Sequence, residues 1–300
     1  MAEREFIPAV GGGSMPAAAV RSSARPSWES LLSPIEPWRM LWARRDLTRQ
    51  FAVRMFLQRY RGTALGPLWS ALLPLAMIGV YTFVFSVVFK AKWTGSADEA
   101  TSTFVMALFC GIITYGIFGE SVVRAAGRVL ENPNFVKKVI FPLEILVPAS
   151  LASSMMYALV GLVLVAIGSV VFVGKIGLMA LWLPVVLVPL VFLSLGVGWF
   201  VAGLGVYVRD VSTIIVLVVQ QILFFMTPVL YRREAIPEAY RWVADWNPLT
   251  PIVDSARRVL LFNESPDWMG LGLVTVLGLV VMQLGYGWFM ATKRGFADVI

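Results

Sequence analysis

Charged residues divide the chain into long apolar runs. Residues 62–89, 100–119, 145–174, 176–208, 211–231 and 268–292 contain no Asp, Glu, Lys or Arg. A helix needs ~20 apolar residues to cross a bilayer, and each run is about that long or longer. None shows the strict alternation of barrel strands. The pattern predicts six transmembrane helices, at about 66–89, 103–123, 146–172, 181–207, 212–230 and 269–291. Pro74, Pro184 and Pro189 fall inside the runs, which membrane helices tolerate when their neighbours take up the freed backbone groups.

Two stretches do not fit the spanning pattern. Residues 36–62 mix Trp, Leu, Met and Phe with many arginines. They are too charged to cross, but aromatic and basic residues side by side suit the headgroup layer of an anionic leaflet. Their helical pattern is not cleanly two-faced, so a solvated basic helix is the alternative. Residues 232–267 hold two half-apolar pieces, near 235–246 and 248–262, punctuated by Pro237, Pro248 and Pro251. Pieces of that length suit re-entrant or interfacial helices. Irregular backbone at membrane depth must be buried in protein or line a cavity, which points to a pathway; an ordinary loop is the alternative. Residues 1–35 are rich in Ala, Gly, Ser and Pro, with no apolar core of signal-peptide length. They are expected as a disordered cytoplasmic tail, with 36–62 as an interfacial segment and 63–300 as one transmembrane domain.

Composition agrees. Apolar residues make up 58% of the chain and charged residues 14%, against about 25% charged in ordinary globular domains. The expected fold is an all-α integral membrane protein. There are no histidines and one cysteine, Cys110. This removes histidine-based acid–base and nucleophilic catalysis, disulfides and the usual metal ligands. Six crossings bring both termini to one side. That side carries thirteen Lys and Arg residues near the membrane and the other carries eight. The excess places both termini in the cytoplasm.

The chemistry is sparse. There is no G-x-x-x-x-G-K-[ST] phosphate loop and no G-x-S-x-G elbow. Glu120 and Glu144 sit at span ends and no acid sits at a span centre, which argues against a carrier driven by protons or sodium. No catalytic or metal-binding residue is expected, and energy is expected from another chain. Aromatics stand out instead. Tyr81, Phe85 and Phe89 recur every four residues on one face of the first predicted span, extended by Trp69. Rings pack against the C–H faces of sugars, so such a row could guide a glycan. Helix packing or an interfacial aromatic belt is the alternative. Tyr115, Phe118, Phe224 and Phe225 are further candidates of the same kind.

The run Arg59-Tyr60-Arg61-Gly62-Thr63-Ala64-Leu65-Gly66-Pro67-Leu68-Trp69 resembles the opening signature of polysaccharide-export permeases. These are type-2 ABC membrane subunits that move O-antigen, capsule or teichoic-acid chains. Val80–Phe89, Val136–Glu144, Tyr207–Asp210 and Trp246–Thr250 support the likeness, which covers residue 38 onwards. The resemblance implies a homodimer in the bacterial inner membrane, paired with two copies of a separate ATP-binding cassette subunit that holds ATP and Mg2+. It implies no cofactor and no nucleic acid on this chain. The implied substrate is a glycan linked to undecaprenyl diphosphate, entering among membrane lipids from the inner leaflet.

The resemblance also implies two short re-entrant helices before the last span that gate the outer mouth, where Tyr231, Trp242, Trp246 and Pro248 lie. It places a coupling segment between spans two and three. Pro133 is expected to break the helix leaving span two, with Asn134 capping a short helix. Phe135, Val136, Val139 and Ile140 would then form an apolar knob for the partner, flanked by Lys137 and Lys138. Arg44, Arg45, Arg54, Arg59 and Arg61 could hold the lipid diphosphate in bidentate fashion. The alternative is that they serve topology and bind lipid phosphates in general. Two other functions stand beside this one: a type-2 permease for another amphiphile, such as a drug or free lipid, and a membrane glycosyltransferase. The scattered single acids, with no D-x-D pair, disfavour the latter.

Overall fold

The computed structural model describes residues 33–90, 93, 101–137, 141–173 and 177–300. The tail expected over residues 1–35 lies almost wholly outside them. The described residues are helical, with no strand among them. Five stretches are long and apolar enough to cross a membrane: Gly66–Phe85, Ser102–Arg128, Leu143–Val171, Leu178–Tyr207 and Trp268–Val299. Their main helices are α3 (Trp69–Tyr81), α4 (Thr101–Arg128), α6 (Leu146–Gly168), α7 (Leu183–Tyr207) and α11 (Trp268–Thr292).

The remaining predicted span, 212–230, is shorter than expected. Helix α8 covers Val211–Met226, about 24 Å at 1.5 Å per residue, against a hydrocarbon core of ~30 Å. Its end has a local cause. Thr227 is extended, with φ −85° and ψ 137°, and Pro228 follows. The residue before a proline is disfavoured in the helical region.

Residues 36–58 form two helices, α1 (Glu36–Ala43) and α2 (Arg45–Gln58), broken at Arg44. Helix α2 buries Ala52 and Met55 where it packs along α6. Helix α1 touches α7 through Trp38 and Phe192, whose ring centroids are 5.4 Å apart. Between α4 and α6 the chain forms the short α5 (Pro133–Lys137). Here the expected boundary is corrected. α4 stops at Arg128, and Pro133 begins the next helix instead of ending the previous one. Proline suits a first helical position because its missing N–H would have no partner there anyway.

Packing identifies two ends of the bundle. The terminal end gathers α1, α2, α5 and the start of α6. The end of α11 joins them through an ion pair between Lys293 Nζ and Glu144 at 2.5 Å. Trp199 on α7 donates its indole N–H to the Glu144 carbonyl at 2.9 Å. The opposite, distal end gathers the start of α4 and the segment from Tyr231 to Asp267. α7 and α11 cross in close contact, because Gly196 lies on the partner backbone. A Cβ there would fall 2.5 Å from the Val281 carbonyl oxygen. Small residues permit this approach in membrane bundles. The central α4 supplies much of the core, including fully buried Leu108 and Cys110.

Candidate functional site

At the distal end the chain from Thr227 to Leu230 is not helical. The Thr227 carbonyl accepts from the Val229 N–H at 2.6 Å, but the Pro228 and Val229 carbonyls need partners from elsewhere. Arg257, the last residue of α10 (Thr250–Arg257), supplies them. Its Nε donates to the Ala107 carbonyl on α4 at 2.8 Å. Nη1 donates to the Pro228 carbonyl at 2.7 Å and to Asp254 Oδ1 at 3.1 Å. Nη2 donates to the Val229 carbonyl. The Trp93 ring lies over the guanidinium, 4.5 Å from its centroid. Gly111 on α4 leaves the room, since a Cβ there would collide with the guanidinium. Arg257 is 2% exposed. A buried Arg is stable only when its donors are satisfied, and here most of them are.

Sequence reading counted Arg257 only as a charge outside the spans. The available signal was Asp254 three residues earlier, on the same face of an apolar stretch.

Neighbouring contacts secure the same segment. Asn247 donates through Nδ2 to Thr227 Oγ1 at 2.7 Å and accepts from Leu249 N–H at 3.0 Å. The helix begun by α10 continues to Phe262 and ends at Asn263, which is left-handed with φ 54°. Asp267 then caps α11 by accepting from Gly270 N–H at 3.0 Å.

A cavity of about 760 Å³ opens beside Arg257. Trp246, Pro248 and Trp93 line it together with charged groups. Among these Arg233 pairs with Asp245 at 2.6 Å and Arg258 with Glu264 at 3.3 Å. Of the residues expected at an outer gate, Trp246 and Pro248 therefore meet at the cavity. Trp242 is exposed, and Tyr231 donates its hydroxyl to the Phe225 carbonyl at 2.5 Å; neither lines the cavity.

The aromatic row on the first span is continuous. Tyr81 and Phe85 lie 6.2 Å apart between centroids, and Phe85 and Phe89 5.8 Å. The row then turns into the bundle. Phe85 meets Phe104 on α4 at 5.4 Å, and Phe104 meets Trp93 at 5.6 Å, so the rings end at Arg257. Phe89 is 67% exposed. Trp69 is half-buried further back on the span and makes no ring contact among the described residues. Tyr115 and Phe224 join a second group at 5.3 Å.

At the terminal end Arg44, Arg45, Arg54 and Arg61 are exposed. Arg59 is not free in the same way. It pairs with Glu120 on α4, which also takes Arg124 Nε at 2.7 Å, and it stacks 4.6 Å from the Tyr157 ring centroid. Burial, with the nearby Arg124 charge, pushes the Arg59 pKa down from its ordinary value.

The expected coupling knob is turned inward. Phe135 stacks on Phe141 at 4.4 Å and meets Phe51 of α2 at 5.8 Å. Val136 is half-buried against the same core. The reason is the start of α5 at Pro133, which swings its apolar side over α2 and leaves Pro133 and Asn134 exposed. The backbone of Lys137 closes the helix; Lys138, Val139 and Ile140 lie outside the described residues.

Comparison with known proteins agrees with this architecture. The family described as ABC-2 type transporter matches residues 47–261. An O-antigen export system permease protein RfbA from Klebsiella pneumoniae is 23% identical over 81% of this chain and 90% of its own length. A protein of the same description from Myxococcus xanthus is 25% identical, covering 87% of this chain and 98% of its own. The polysialic acid transport protein KpsM of Escherichia coli is 22% identical over 78% and 88%.

Proposed function

The chain belongs to the ABC-2 type transporter family, and we propose that it is the permease subunit of an ATP-driven exporter of lipid-linked polysaccharide in a bacterial inner membrane. Relatives described as O-antigen and polysialic acid transport proteins support the substrate class. The observation that carries the reading is the ring row Tyr81–Phe85–Phe104–Trp93. It runs from the least buried span into the closed distal end at Arg257.

In this reading two copies of the chain pair with two copies of an ATP-binding cassette subunit, which carries ATP and Mg2+. α8 with residues 227–230 completes a sixth crossing. The terminal end faces the cytoplasm, where the positive charge is concentrated. There α1 and α2 lie in the interface, preceded by a cytoplasmic tail. The exposed Arg44, Arg45, Arg54 and Arg61 attract the lipid diphosphate. α9 (Trp242–Asp245) and α10 form the re-entrant outer gate. The exported glycan passes over rings that each hold it weakly, so that no single contact arrests it.

The ATPase docks at the loop between α4 and α6, through the exposed Pro133 and Asn134. Motion there passes from Phe135 to Phe51 and α2, and from Arg59 through Glu120 to α4. Helix α4 carries Ala107, whose carbonyl holds Arg257 at the far end. One rigid helix thus joins the docking site to the gate.

Deleting the gene should leave lipid-linked glycan accumulated inside the cell, and the wild-type gene should restore surface glycan. Unchanged surface glycan with altered efflux of another amphiphile would instead favour a permease for a drug or free lipid.

A further inference from the structure

The short helix α8 carries two polar side chains that neither the fold nor the aromatic row uses. Gln220 and Gln221 sit near its middle, about 15 Å along from its Asp210 end, and both are exposed. Neither amide has a hydrogen-bond partner among the described residues. Gln283, the other amide in the apolar helices, is half-buried and donates to the Ser33 carbonyl at 3.1 Å.

The rotation of α8 is fixed by its inward side. Tyr115 on α4 donates its hydroxyl to the Val219 carbonyl, and buried Val219 packs beside Tyr115 and Gly119. The two amides therefore face away from the core, between Leu217 and Ile222, which are about half-exposed. An amide in hydrocarbon with nothing to bond is costly. Such a face is suited to something that exchanges hydrogen bonds at the membrane centre.

Resting on the export reading above, we propose that Gln220 and Gln221 line the translocation path and bind the hydroxyl groups of the passing polysaccharide. An amide offers one carbonyl acceptor and two N–H donors, which match a sugar hydroxyl that both gives and takes a hydrogen bond. The rings of the first span address the C–H faces of the sugars and the amides address their edges. Neither group carries charge, so each contact releases as the chain advances.

The test uses the complete complex with its ATPase partner. In the double variant Q220L/Q221L the complex assembles at normal yield and hydrolyses ATP. Its polysaccharide export per complex falls roughly tenfold, as expected for the loss of a pair of net hydrogen bonds. In a second experiment Gln220→Cys is placed in a Cys110→Ala background and treated with a membrane-impermeant maleimide. The introduced thiol is labelled, and transported glycan slows the labelling. Wild-type export by the leucine variant together with an unlabelled thiol would put the amides in lipid and overturn the proposal. Loss of the paired state in the leucine variant would show amides bonding across two copies, which also overturns it. Absence of glycan export by the wild-type complex, with the thiol still labelled, would instead overturn the functional reading.

Discussion

The arginines at the two ends of the bundle are used in opposite ways. At the terminal end Arg44, Arg45, Arg54 and Arg61 leave their guanidiniums exposed. At the distal end Arg257 is enclosed and holds three backbone carbonyls, Asp254 and the face of Trp93. Arg59 stands between them, on the terminal helix but turned to Glu120 and Tyr157. The difference follows from what each backbone needs. Helices α1 and α2 bond carbonyls within themselves and their arginines stay at the surface, with Arg45 turned back to the Trp42 carbonyl at 3.2 Å and over its ring. The Pro228 and Val229 carbonyls take no helical partner, and a long side chain with five donors serves them instead. An arginine therefore marks a break in the backbone as readily as a binding surface.

The largest effect should come from Arg257→Ala. It leaves Asp254 and three carbonyls without their donor, and should cost about 3–5 kcal/mol, read as a fall in unfolding temperature in detergent. Arg257→Lys should recover only part of this, since a point charge cannot serve the same spread of acceptors. Wild-type stability in Arg257→Ala would erase the contrast between the ends.

Next comes Phe135→Ala, which removes a half-buried ring from the Phe51–Phe141 group and should cost about 1–2 kcal/mol. Its sharper consequence is functional: ATP hydrolysis continues in the assembled complex while export drops. Equal losses in both activities would argue that the ring only supports folding. Replacing Arg44, Arg45, Arg54 and Arg61 singly by Ala should change stability by less than about 0.5 kcal/mol each. Together they should weaken binding to anionic vesicles, and more so at low salt.

The smallest effect is set by pH. The Arg233 hydrogen bond holds the Asp245 carboxyl below the ordinary aspartate range. A depressed carboxylate stabilises the fold above its unfolded-state pKa and loses that contribution as pH falls through the folded-state value. Acid should therefore loosen the exposed Arg233–Asp245 lock only once pH falls below the ordinary aspartate range, and Asp245→Asn should abolish that pH dependence. It is measurable as proteolytic cleavage near residue 233.

Much of the bundle was legible from charge spacing alone, because a span in hydrocarbon excludes charge over its whole length. Five apolar runs became helical stretches long and apolar enough to cross, with all but one of their ends within about five residues of expectation; the last runs on to Val299. The sixth could not be read to its end. Nothing in 212–230 distinguishes helix from extended chain except Thr227-Pro228, and the donor that makes the break tolerable lies about thirty residues later. The row Tyr81–Phe85–Phe89 followed from a period of four, but its turn through Phe104 to Trp93 depends on how α3 meets α4. Phe135 was misplaced for a similar reason. Its apolar character was plain, whereas its direction depends on Phe51, far away in sequence. Arg59 looked like its neighbours until α4 brought Glu120 beside it.

Reconstitution of the chain with its partner ATPase in proteoliposomes, followed by transfer of lipid-linked polysaccharide across the bilayer, tests the transport reading most directly. ATP-dependent transfer that requires both subunits is the expected result, with no hydrolysis by this chain alone because it lacks a phosphate loop. Robust ATP hydrolysis by the isolated chain, or vigorous hydrolysis by the complex with no movement of glycan, would contradict it.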